Sequence, residues 1–223
     1  MKNKHSDIIL FQYGDREEIG HALTHFLGIL FGLFVLFQTL INKQAQTPNH
    51  LLFATCLFAL GMIAVYTSST FYHLATRPHV KLFLKKCDHA SIYILIATSY
   101  TPFLLVIFHK NHSYFSLLAL SLVWILSTGG VVFKLRARHK HLALSVASYF
   151  ILSWLSLVLI DEMKMAFSKN ILFAIFLGGF FYTFGAIFYL MKKVPYHHVV
   201  WHIFVLCGSF AHYIAIVWAI KTI

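Results

Sequence analysis

Apolar residues run along this chain in stretches too long for the strands or half-buried helices of a water-soluble fold. Seven such stretches recur, near Ile19–Ile41, His50–Leu74, Cys87–Phe108, Tyr114–Phe133, His141–Ile160, Asn170–Met191 and His197–Ile220. Each approaches the roughly 20 residues that an α-helix needs to cross a hydrocarbon core. The runs are uninterrupted and lack period-2 alternation, so helices rather than the strands of a barrel are expected. The joints are short and polar: Asn42–Asn49, Ala75–Lys86, His109–Ser113, Lys134–Lys140, Asp161–Lys169 and Lys192–Tyr196. None is long enough to separate domains. The pattern predicts an N-terminal segment, residues 1–18, and one all-α membrane bundle of seven transmembrane helices, residues 19–223. Pro102 falls inside the third run and is expected to kink it.

Composition narrows the class. Of the 223 residues 59% are hydrophobic and 11% charged, where soluble domains carry roughly a quarter charged residues. The net charge of +11 would suggest nucleic acid in a soluble protein; flanking apolar runs, it marks the cytoplasmic ends of membrane helices instead. Thirteen of the 18 Lys and Arg lie on the N-terminal side: Lys2, Lys4, Arg16, Arg77, Lys81, Lys85, Lys86, Lys134, Arg136, Arg138, Lys140, Lys192 and Lys193. Lys43, Lys110, Lys164, Lys169 and Lys221 lie on the other. This bias predicts a cytoplasmic N-terminus and an outer C-terminus in a plasma or inner membrane. No apolar signal peptide precedes the first run. The seventh has no Lys for a retinal Schiff base. Cys56, Cys87 and Cys207 form no CxxC pair, so neither a disulfide framework nor a thiolate metal site is expected.

Candidate chemistry lies in the polar residues at the helix ends. His198 and His202 are four apart, which sets both imidazoles on one helical face at a spacing that can bind one metal ion. By the alternating directions of the runs, Ser69 and His73 at the end of the second come to the same membrane depth. So do Asp88 and His89 at the start of the third, and His21 and His25 in the first. His73 is the leading third ligand and His25 competes with it. His89 and His197 point about 100° away from their neighbours Asp88 and His198, and His212 is roughly 15 Å beyond His202 along the axis. Asp88 is placed at a helix start, where it also suits a capping or dipole role. The acidic residues Asp7, Asp15, Glu17 and Glu18 are placed before the first span. His5 is uninformative, and His50, His79, His109, His112, His139 and His141 read as interface residues.

Taken together, these segments give the chain a pattern that resembles the hemolysin III group of the progestin and adipoQ receptor superfamily, which also looks related to alkaline ceramidases. The resemblance rests on Glu17-Glu18-Ile19-Gly20-His21-Ala22-Leu23-Thr24-His25, Ser69-Thr70-Phe71-Tyr72-His73, Asp88-His89-Ala90-Ser91-Ile92-Tyr93, Ala97-Thr98-Ser99-Tyr100-Thr101-Pro102 and His198-Val199-Val200-Trp201-His202. It implies a zinc site near the cytoplasmic face with His73, His198 and His202 as ligands. It also implies that Asp88 acts on the metal's water and that Ser69 stands behind the ligands. The family pattern has Asn where this chain has His21.

The resulting expectation is a metal-dependent, ceramidase-like hydrolase of a membrane lipid amide or ester, with Zn2+ as cofactor. Asp88 serves as the proton acceptor and Ser69, with Thr24 or Tyr72 as looser candidates, as the positioning group. Two alternatives belong to other classes. One is a hemolysin III-type channel or pore-forming cytolysin, which would need polar groups through the whole bilayer thickness. The other is a membrane-state sensor or receptor with structural zinc, which would take four protein ligands.

Overall fold

The computed structural model describes residues 13–41, 47–136 and 142–223. Lys2, Lys4, His5, Asp7, Lys43, Arg138, His139, Lys140 and His141 lie outside the described residues. The described chain is all-helical: α1 Asp15–Ile41, α2 Asn49–Leu74, α3 Pro78–Asn111, α4 Tyr114–Arg136, α5 Leu142–Ser153, a 3-10 stretch Trp154–Leu159, α6 Ile160–Ala166, α7 Lys169–Leu190 and α8 His197–Ile220. Seven spans, with α5 through α6 counted as one, are long and apolar enough to cross a membrane. Their outward faces carry Leu23, Phe26, Leu30, Phe34 and Phe37 on α1 and Leu118, Leu122 and Ile125 on α4, all exposed. Apolar side chains turned outward along whole helices are what a lipid solvent selects. This is a multi-pass membrane protein.

The central helix is α3. Of its most apolar stretch 78% is buried, against 17% in α4. Small residues bring the helices around it close. A Cβ on Gly28 of α1 would come within 2.5 Å of the Tyr66 ring of α2, and one on Gly61 would meet Thr98 of α3. The core between them contains Phe58, Met62, Val65 and Tyr66 of α2 and Leu104 and Ile107 of α3.

Two spans differ from their sequence reading. The third begins at Pro78 rather than Cys87, because a proline at the first helical position fits the missing N–H there. Asp88 therefore lies nearly three turns inside α3 rather than at its start, and the capping role does not apply. The helix continues through Pro102 without interruption. The fifth span tightens into a 3-10 helix at Trp154–Leu159 and then resumes through Ala166, across residues expected to form a loop. The freed backbone groups are met by Tyr100. Its hydroxyl donates to the Ser153 carbonyl at 2.7 Å and accepts from the Ser156 amide at 2.9 Å. Irregular backbone at membrane depth persists only where protein satisfies it or a cavity adjoins it. Both conditions hold here, since Ser153, Trp154 and Ser156 line the internal cavity.

Candidate metal centre

Three helix ends meet at one pole of the bundle. From α1, the stripe Glu18, His21, His25 recurs at helical spacing and continues inward as Gly28, Gly32 and Val35, turning the polar end of the same face toward α2 and α8. α2 delivers His73 in its last turn. α8 delivers His198 and His202 from its first two turns, after Tyr196 has reversed the chain with a left-handed φ of 56°. That turn is strained for a residue with a side chain. The Glu17 carboxylate holds it by accepting the Tyr196 amide at 2.7 Å.

His73, His198 and His202 are all buried, and the nitrogen that each offers lies within 4.8 Å of the other two. Hydrogen bonds fix two of the rings. His73 donates Nδ1–H to Glu18 Oε2 at 2.6 Å. His202 donates Nδ1–H to the His21 carbonyl at 3.1 Å and toward Thr24 Oγ1 at 3.1 Å. Thr24 can accept because its own proton is directed to the Gly20 and His21 carbonyls. With Nδ1 protonated, each ring keeps its lone pair on Nε2. His73 Nε2 is buried with no partner, and so is His198 Nδ1. Two buried nitrogens without partners, on His73 and His198, and a third donor from His202 within 4.8 Å of them make a set that could hold a metal ion. The residues fit a metal ion.

Glu18, placed before the first span by its sequence, is instead inside α1 and in contact with the centre. Its second oxygen, Oε1, accepts from Lys81 Nζ at 2.9 Å. Lys81 is 1% exposed, so a lysine that reads as a loop charge is a buried counter-ion. Spacing offered one signal: Glu18 stands three residues before His21 and seven before His25, on their face. Hydropathy hid it, since charged residues at the edge of an apolar run read as flanks.

The other expected site residues line a cavity of about 170 Å³ beside the imidazoles, bounded by Ser69, Asp88, His198 and His202 at one end and His212 and Phe103 farther in. Ser69 lies beside Asp88 but makes no hydrogen bond of standard geometry. His197 turns away and donates to the Phe188 carbonyl at 2.9 Å. His25 stacks on His202 with ring centroids 3.5 Å apart and planes 10° from parallel. His212 donates to the Ile175 carbonyl at 3.2 Å.

An all-helical, seven-span membrane bundle with a buried His/Glu cluster able to hold a metal ion at one pole defines the class. Residues 13–213 match the family model described as "Haemolysin-III related". The chain belongs to that family. It is 36% identical over 201 residues to the "Hemolysin-3 homolog" of Bacillus subtilis (strain 168), covering 90% of this chain and 93% of that one. It is 32% identical over 194 residues to "Hemolysin-3" of Bacillus cereus, covering 87% of each. Similarity extends to the "Monocyte to macrophage differentiation factor" of Homo sapiens, 24% over 169 residues, covering 72% of this chain and 67% of that one. No solved structure matches the chain.

Proposed function

We propose that this protein is a metal-dependent hydrolase of a lipid amide or ester, with zinc held by His73, His198 and His202 at the cytoplasmic end of the bundle. The observation that carries the reading is the cavity. Its wall joins the two α8 imidazoles to Asp88 and Ser69, then runs inward between apolar and aromatic side chains such as Ile96, Phe103 and Leu104. An acyl chain fits such a lining, and its carbonyl end then meets the histidines.

Bound zinc supplies a Lewis acid for the carbonyl and lowers the pKa of an attacking water to about 7. The chain's own residues do the rest. Asp88 takes the water's proton on a carboxylate oxygen and returns it to the departing amine or alcohol. Ser69 offers a hydrogen bond from its hydroxyl to the oxygen on which charge develops, keeping its proton. Glu18 and the His21 carbonyl fix the His73 and His202 rings, so ligand directions are set before substrate arrives. The apolar walls hold the acyl chain and exclude bulk water.

The test is release of free fatty acid from N-acyl and O-acyl lipids by purified, zinc-loaded protein in nanodiscs. Turnover is expected to stop on chelation and to return with zinc. Asp88→Ala should lower turnover at least a hundredfold while metal content stays unchanged. Absence of fatty acid release from every lipid tried, with metal bound, removes the hydrolase reading. Loss of metal in Asp88→Ala would make Asp88 a ligand instead.

A further inference from the structure

The three-ligand centre leaves His21 without a role for its ring. That ring is fully buried, at 0% exposure, and neither of its nitrogens makes a hydrogen bond. A neutral imidazole carries one N–H and one lone pair, and when both are buried the first calls for an acceptor and the second for a donor or a metal ion. The Tyr13 ring stands edge-on to His21 at 4.7 Å, and three imidazoles pack against it from within the bundle. The His21 ring centroid is 4.5 Å from that of His73, 4.8 Å from His198 and 5.5 Å from His202. Among themselves those three stand 5.3, 5.2 and 4.6 Å apart. Six separations within 1 Å of one another place four rings at the corners of a near-regular tetrahedron. Four imidazoles bound to one zinc at ~2.1 Å per Zn–N bond would put their ring centroids about 5.2 Å apart.

The His21 ring is turned partly away from the centre of that tetrahedron. Its offered nitrogen groups with a Glu18 carboxylate oxygen and a His73 nitrogen, and Nδ1 lies 3.7 Å from Glu18 Oε2. That is beyond hydrogen-bonding reach, so rotating the side chain toward the centre breaks no hydrogen bond. Its backbone is already anchored there, because the His21 carbonyl accepts from the His202 ring at 3.1 Å. His25 shares the lack of partners but not the geometry. Lying parallel on His202 at 3.5 Å, it directs its in-plane lone pairs alongside that ring's rather than to a common point.

We propose that His21 is a fourth imidazole ligand to the metal of His73, His198 and His202, closing the site at rest and yielding its position to the attacking water. The proposal rests on the metal-centre reading above. It makes the resting site four-coordinate from protein alone, and opening becomes a ligand exchange on α1.

X-ray absorption of the zinc-loaded protein in detergent counts imidazoles directly and needs no turnover. Four are expected in wild type. In His21→Asn, three imidazoles and one oxygen are expected, with metal still bound but at least tenfold weaker in chelator competition. Three imidazoles in wild type overturn the proposal without reference to any variant. A fourth imidazole that survives His21→Asn and disappears in His25→Asn overturns it as well. Wild type that takes up no zinc brings down the metal centre itself, and this proposal with it.

Discussion

Glu18 stands between a cation and an imidazole, 2.9 Å from Lys81 and 2.6 Å from His73. A carboxylate on the far nitrogen of a metal-binding histidine fixes its tautomer and raises its basicity, and removing such a group costs roughly 10–100-fold in metal affinity. Glu18→Gln should therefore weaken zinc binding by about that factor, read by chelator competition, with helical content unchanged. Lys81→Met should be the more damaging to folding, because it leaves a half-buried carboxylate without its counter-charge. A lower melting temperature of the metal-free protein in Lys81→Met than in Glu18→Gln is the expected order. At this scale the sequence was partly legible. The i, i+4 pair His198 and His202 and the helix-end position of His73 follow from spacing and helix direction, and the structure brings these three rings together. The role of Glu18 does not follow, because its partner Lys81 comes from a different helix end 63 residues away. Burial of a charge by a distant opposite charge leaves no local mark.

At the scale of elements, the site depends on how closely α1 lies against α2. Gly28 faces Tyr66 and Gly32 faces Ile63, with room for hydrogen but not for a methyl group. Gly28→Val forces those helices apart or displaces the Tyr66 ring, whose hydroxyl bonds Ser209 of α8 at 2.6 Å. Overpacking of this kind costs about 1–3 kcal/mol, so a lower melting temperature and a weaker affinity for zinc should appear together. A variant that loses stability alone would show that the pole of the bundle is insulated from its middle. Seven helices were readable from length and hydropathy, because lipid demands both over each entire span. The start of α3 at Pro78 and the 3-10 stretch after α5 were not. The first turns of α3 are too polar to stand out by hydropathy, and the 3-10 stretch is satisfied by Tyr100, a residue from another helix.

Over the whole molecule, charge is distributed by side, and this carries the proposal that the histidine pole faces the cytoplasm. A reporter fused at the N-terminus should be active only inside the cell and one at the C-terminus only outside. The reverse result would turn the metal site outward and require substrate to arrive from that leaflet. The pore reading is tested at the same scale. Ionisable groups of the site gather at one end, while the exposed large side chains in the middle of α1 and α4 are Leu, Phe and Ile. A lipid bilayer containing purified protein should stay electrically silent; stepwise conductance would restore the pore reading.

The turn at Tyr196, tied by Glu17 to the first helix, has a consequence for biosynthesis. His73 belongs to the second span and His198 and His202 to the last, so the donor set is incomplete until nearly the whole polypeptide has been made and inserted. A ribosome stalled before residue 197 leaves His73 and Glu18 in the membrane with no α8 to close against them. On the proposed metal centre, metal loading would report completed insertion: an ion held by these residues would mark a chain whose final helix has docked on its first.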